Sequence, residues 1–140
     1  MTESRRVRPL ALAIVRRGDT ILVGESRDRV KDETFYRPVG GEIDFGEHAA
    51  EALEREVREE LRVTVQRADL LGVLENVFTF EGGPGHEIVF VYAVELAESL
   101  PEGRIKIADA PDDAVWMPLE AFADGGAPLY PDGLYELLSR

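Results

Sequence analysis

Residues Gly41 to Val63 read GEIDFGEHAAEALEREVREELRV, and the fold turns on how this stretch is read. From about His48 to Leu61 its apolar residues recur at helical spacing. Leu53, Val57 and Leu61 stand every fourth residue, with Ala49 and Ala52 on the flank of that stripe. Glu56, Glu59 and Glu60 are spaced by three and four, so one helix brings their carboxylates to one side. At roughly 100° per residue they fall beside the apolar stripe, at the edge of a core and partly shielded. The far face belongs to Glu51, Arg58 and Arg62. Like charges so placed cost a few tenths of a kcal/mol per pair (roughly) on a bare helix, so the sequence either solvates them or binds a cation.

The surrounding composition narrows the choice. A chain of 140 residues is one ordinary domain, able to bury a core without disulfides or a structural metal. With 44% hydrophobic and 31% charged residues it is globular, and no apolar run approaches a membrane span. The N-terminal MTESRRVRPLALAIV has a basic start and a short apolar stretch without a small-residue cleavage signal, and reads as a strand of a cytoplasmic protein. Cysteine is absent, which removes thiolate zinc sites and Cys nucleophiles, so any metal must be held by oxygen or by His48 and His86. A net charge of -12 argues against a protein that grips long nucleic acid. A small anionic substrate beside the acidic helix needs a divalent cation between the two.

Outward from the helix the chain is mainly β. Residues 7 to 16 and 20 to 26 predict an antiparallel pair turning at Gly18-Asp19. The charged segment Ser26 to Glu33 predicts a loop, and Thr34 to Arg37 a short strand stopped by Pro38 ahead of Gly40-Gly41. Strand-like stretches fill Val63 to Phe80, EGGPGH from Glu81 to His86 predicts a loop, and Ile88 to Val94 a strand buried on both faces. A turn at Glu98 to Gly103, a strand at Ala114 to Met117, a helical turn at Leu119 to Ala123 and a closing helix from Pro131 complete the reading.

Gly41, Glu47, the run Arg55-Glu56-Val57-Arg58-Glu59-Glu60 and Val63 closely resemble, in type and spacing, the signature box of the Nudix hydrolases. The resemblance covers the box and is compatible with the strand order and final helix, so it extends to the whole chain as a single domain, 1–140. It implies an α/β/α sandwich with a mixed β-sheet, and hydrolysis of a nucleoside diphosphate linked to another moiety with Mg²⁺ or Mn²⁺. One position departs from it. The family usually has Gly where this chain has Arg62, and a non-Gly residue in a left-handed cap costs about 1–2 kcal/mol, so the helix is expected to end differently here.

On that resemblance Glu56, Glu59 and Glu60 are hard oxygen ligands of the kind Mg²⁺ prefers, Glu47 ligates or positions a water, and the Gly41 carbonyl is a further ligand. Arg55 pairs with a box carboxylate, and Gly40-Gly41 leads toward a helix N-terminus suited to anions. Glu87 is the candidate general base outside the box, with a box glutamate as rival. Arg37 is a candidate phosphate contact, and Tyr36 and Phe35 are candidates to stack on a base, with core packing the competing reading. An isoprenoid diphosphate isomerase is disfavoured, since that chemistry uses a Cys. The residues that mark ADP-ribose or dinucleoside polyphosphate substrates in the family are missing where Phe78 to Glu81 stand. The substrate therefore stays open among nucleoside triphosphates, nucleotide sugars and dinucleotides. The alternative is a non-catalytic nucleotide-binding or regulatory module. Many relatives are homodimers.

Overall fold

The computed structural model describes residues 5–140, and the first four residues of the N-terminal segment, which the sequence assigns to a strand region, lie outside the described residues. Strands β1 (Arg8–Ile14), β2 (Arg16–Arg17), β3 (Thr20–Asp28) and β4 (Glu33–Glu42) precede helix α1 (Ala49–Leu61). Then come β5 (Val65–Phe80), β6 (Gly83–Leu96), β7 (Ile105–Lys106), β8 (Asp113–Pro118), a 3-10 turn Leu119–Phe122 and α2 (Leu134–Leu138). The strands form one mixed sheet in the order β5-β6-β1-β4-β3-β8-β7, with β2 paired to β3. Only β1 and β6 run parallel among its paired strands, and they join the two halves of the chain near the middle of the sheet.

The period of two along β1 explains why the sheet is covered on both sides. Ala11, Ala13 and Val15 enter the core beneath α1, where Ala52, Leu53 and Val57 are fully buried. Leu10, Leu12 and Ile14 enter the opposite core with Phe122, Leu134 and Leu138 from the 3-10 turn and α2. Small residues on the first face let α1 approach the strand closely, while large ones fill the space under the shorter elements. The outcome is the expected α/β/α sandwich. Among the described residues no helix is long and apolar enough to cross a membrane.

Four boundaries differ from the sequence expectation. The segment Ser26 to Glu33 is not a loop throughout, because Arg27↔Thr34 and Asp28↔Glu33 continue the β3–β4 ladder. Nor does Pro38 stop β4. The strand pairs with β3 as far as Val23↔Pro38, then with β1 from Ala13↔Val39 to Leu10↔Glu42. A residue without an N–H is tolerated where the strand changes partners. EGGPGH is likewise strand apart from its first two residues, since Glu81 and Gly82 (φ 50° and 83°) make a two-residue turn and Phe80↔Gly83 closes the hairpin. Gly85 is in the ladder because the ring of Phe78 lies across it. A Cβ there would stand 2.3 Å from that ring. The last helix starts at Leu134, not Pro131, after Gly133 at φ 89°.

Candidate active site

Helix α1 starts after His48, whose backbone N–H donates to Glu51 Oε1 at 2.7 Å, and it ends on Arg62 at φ 61°, ψ 31°. The expectation that Arg62 would change the helix end is therefore corrected: Arg62 takes the left-handed cap itself and donates its N–H to the Arg58 carbonyl at 3.0 Å. Between these ends the helix presents its carboxylates to β4. Gly40 N–H donates to Glu60 Oε1 at 2.9 Å, and the Glu56 carboxylate lies directly on Gly41, where a Cβ would come within 2.5 Å of it. Gly40 itself sits at φ 143° with its Cα against the Ala11 carbonyl, a position closed to any side chain.

Arg55 gathers the remaining acids. Its Nε and Nη2 grip both oxygens of Glu47 at 2.8 and 3.0 Å, and its Nη1 donates to Glu56 Oε1 at 2.8 Å and Glu59 Oε1 at 3.1 Å. Nη2 also reaches the Glu42 carbonyl at 3.1 Å. This bidentate grip holds the Glu47 carboxyl down to about 2, helped by the Asp44 N–H, and raises the Arg55 guanidinium above its ordinary value. Glu60 shows the reverse. Burial first, then the charges of Glu56 and Glu59, push its carboxyl up to about 7 against the opposing Gly40 N–H. Glu56 is largely shielded, whereas Glu59 stands 60% exposed, so the expected partial shielding holds for two of the three.

Glu60 and Gly41 line a cleft of about 250 Å³ whose opposite wall carries Arg37 and Glu87. Glu87 is 2% exposed; it accepts from Arg37 Nη2 at 3.1 Å on one oxygen and faces Arg8 Nη1 at 3.7 Å on the other. The cleft continues past Arg8, Arg37 and Glu87 into an aromatic pocket of about 300 Å³ bounded by Phe35, Phe78, Phe80 and Tyr130. Tyr36 is not brought to either space. Strand alternation turns it to the opposite core, where its ring packs edge-on to Phe122 at 5.6 Å and its hydroxyl donates to Glu25 at 3.1 Å. Burial, then the Glu25 carboxylate, raises its phenol above the ordinary value.

Sequence reasoning missed Arg8 and Asn76, both on the walls of the aromatic pocket. An asparagine in the middle of a strand-like run, LLGVLENVF, is the signal that could have found the second. Nothing in the sequence singles out Arg8.

The family model for the NUDIX domain matches residues 6–138. This chain belongs to the Nudix family. It is a Nudix-type hydrolase acting on phosphoanhydride bonds. Solved structures agree on the fold. A MutT NUDIX hydrolase from Burkholderia pseudomallei superposes with a TM-score of 0.69 at 23% identity, over 96% of this chain and 98% of that one. A NUDIX hydrolase from Nitrosomonas europaea gives 0.71 at 17% identity over 96% and 87%, and a MutT mutator protein from Bacillus halodurans 0.66 at 19% over 96% and 81%. The Nudix residues of the box are those that the geometry places around Arg55 and Gly40. Members of the family generally use a divalent metal. Among the described residues no group of three or more acidic or histidine side chains already stands in metal-binding geometry.

Proposed function

We propose that this Nudix hydrolase is a metal-dependent pyrophosphohydrolase cleaving a nucleoside diphosphate linked to another moiety: a nucleoside triphosphate, a nucleotide sugar or a dinucleotide. One observation carries the reading. Arg55 ties Glu47, Glu56 and Glu59 together, and Glu60, pushed up to about 7 by burial and then by the charges of Glu56 and Glu59, stands on the same helix as those two. Such a donor set, all oxygen and net negative, fits Mg²⁺ or Mn²⁺. Glu56, Glu59 and Glu60 would hold the ion with the Gly41 carbonyl, and Glu47 would ligate it or position a water. The ion supplies Lewis acidity at a phosphoryl oxygen and lowers the pKa of an attacking water.

The protein's own groups do the rest. Arg55 keeps Glu47 and Glu56 in place, as a group behind metal ligands does. Arg37 and Arg8 face the cleft with donors beyond those given to Glu87 and are suited to phosphate oxygens. Because both oxygens of Glu87 face arginines, its role in this reading is to position them, which leaves the base to a box glutamate. We read the protein as cytoplasmic. It is also read as a homodimer: β5 ends the sheet and exposes Leu70, Leu71, Val73 and Val77, a surface that a second copy would cover. Sedimentation velocity that finds only monomer at micromolar concentration would remove the dimer.

A panel of nucleotides incubated with Mg²⁺ or Mn²⁺ tests the main reading. Release of phosphate, pyrophosphate or nucleoside monophosphate is expected, and Glu59→Gln should lower kcat by on the order of 10²-fold or more. Binding without turnover across the panel would favour a regulatory module instead.

A further inference from the structure

The aromatic pocket next to the cleft contains one buried polar group that nothing in the protein uses. Its rings are mutually braced, Phe35 standing edge-on to Phe80 at 5.8 Å and to Tyr130 at 5.5 Å. At about 300 Å³ it accommodates a single heteroaromatic ring system. Several polar side chains on its walls are committed to partners within the protein. Ser26 donates to Asp112 Oδ2 at 2.7 Å, and Lys31 Nζ donates to the Thr79 carbonyl at 2.8 Å. Asp28 is saturated by the N–H groups of Val30, Lys31 and Glu81 at 2.9, 3.0 and 2.9 Å. Glu87 is taken by Arg37 and Arg8.

Asn76 differs. It is 2% exposed, and its Oδ1 accepts the Asp132 N–H at 3.3 Å, which fixes the amide orientation because only the oxygen can accept. Its Nδ2 has no partner among the described residues, yet no fully enclosed side-chain polar atom lacks one. The NH₂ therefore keeps part of the small exposure of Asn76, and Asn76 lines the aromatic pocket. A buried donor left in this state costs free energy until something accepts from it.

We propose that Asn76 is a specificity-determining residue that donates to an acceptor on the edge of the substrate's aromatic group, so that bases with an oxo group there are preferred over those with an amino group. An exocyclic amine in the same place would set donor against donor and leave both unpaired. This rests on the pyrophosphohydrolase reading for its assay but not for its geometry. The pocket's bases would be oxopurines and uracil-type pyrimidines, with their phosphates running past Arg8 and Arg37 toward Glu60.

Two substrate pairs differ at the deciding atom alone or nearly so: inosine against adenosine triphosphate, and uridine against cytidine triphosphate. With Mg²⁺, the wild-type protein should favour the oxo member by about tenfold or more in kcat/KM, mainly through KM. Asn76→Ala should bring each pair to within about threefold. Asn76→Asp, which keeps an acceptor for the Asp132 N–H, should abolish or invert the preference, and thermal unfolding checks that each variant is folded. Turnover without an oxo preference, or a preference that both variants retain, overturns the inference and leaves the hydrolase reading intact. If no nucleotide is turned over, the side-chain amide resonances of Asn76 are followed by NMR in chelator with inosine and adenosine monophosphates. A larger shift with inosine monophosphate supports the pocket assignment while sinking the hydrolase reading; no shift with either overturns both.

Discussion

The two walls of the cleft each withdraw a glutamate from water, and they do so by opposite means. On the β6 wall Glu87 is 2% exposed and meets Arg37 and Arg8. On the α1 wall Glu60 has a single backbone N–H for company and the charges of Glu56 and Glu59 nearby, and is pushed up to about 7. A buried charge needs a partner; the first wall contains its own and the second does not. Charge on α1 is thus left for a ligand to complete, whereas the β6 wall is complete without one.

Arg55 is where the contrast is most easily broken. Arg55→Ala removes the clamp on Glu47 and Glu56, and should lower kcat/KM by about 10- to 100-fold. Arg55→Lys should recover only a small part of it, since an ammonium cannot grip both Glu47 oxygens as the guanidinium does. Steady-state kinetics at several Mg²⁺ concentrations measure this, and activity within threefold of wild type in Arg55→Ala would contradict the clamp. The β6 wall makes a different prediction. Glu87→Gln keeps an oxygen for Arg37 and should raise KM by about tenfold with kcat changed less. A fall in kcat of about 10²-fold at unchanged KM would make Glu87 the general base after all.

Acidity sharpens the same comparison. Glu60 has a folded pKa above its unfolded 4.5, so the folded state favours its protonated form, and metal-free stability should fall as pH rises from about 4.5 through about 7. Glu47 has the opposite sign: held at about 2, it stabilises above the unfolded 4.5, and that contribution is lost as pH falls through about 2. Urea unfolding in chelator should therefore show the decline toward pH 7.5, and saturating Mg²⁺ should remove it. A flat profile in chelator would mean that Glu60 is compensated. The smallest effect belongs to the helix end. Arg62→Gly relieves the left-handed cap and should raise stability by about 0.5–1 kcal/mol, read as a higher Tm with unchanged kinetics.

The box was legible because its signals are local. Helical spacing places Leu53, Val57 and Leu61 on one stripe and Glu56, Glu59 and Glu60 beside it whatever the rest of the chain does. What escaped depends on partners far away in sequence. The charged residues 27 and 28 become strand only because 33 and 34 pair with them, and Gly85 of EGGPGH sits in the strand where Phe78 lies on its bare backbone. Tyr36 illustrates the cost of a one-residue difference in facing: Phe35 lines the pocket, while Tyr36 belongs to the other core. Asn76 reads as an interruption in an apolar run, and only the walls assembled around it from distant strands give it a place.

The change of partner in β4 at Pro38 makes the tolerance for insertions and deletions uneven along this chain. Four residues beyond the switch, Val39 to Glu42, are in register with β1, and within them Val39 must reach the core under α1 while Gly40 and Gly41 meet Glu60 and Glu56. Losing one residue there would turn each of these to the opposite face. A residue gained in the turn between β3 and β4, at positions 29–32, changes only the reach of that turn. Length variation that alters what this protein accepts therefore has room on the substrate side and none beside the carboxylates.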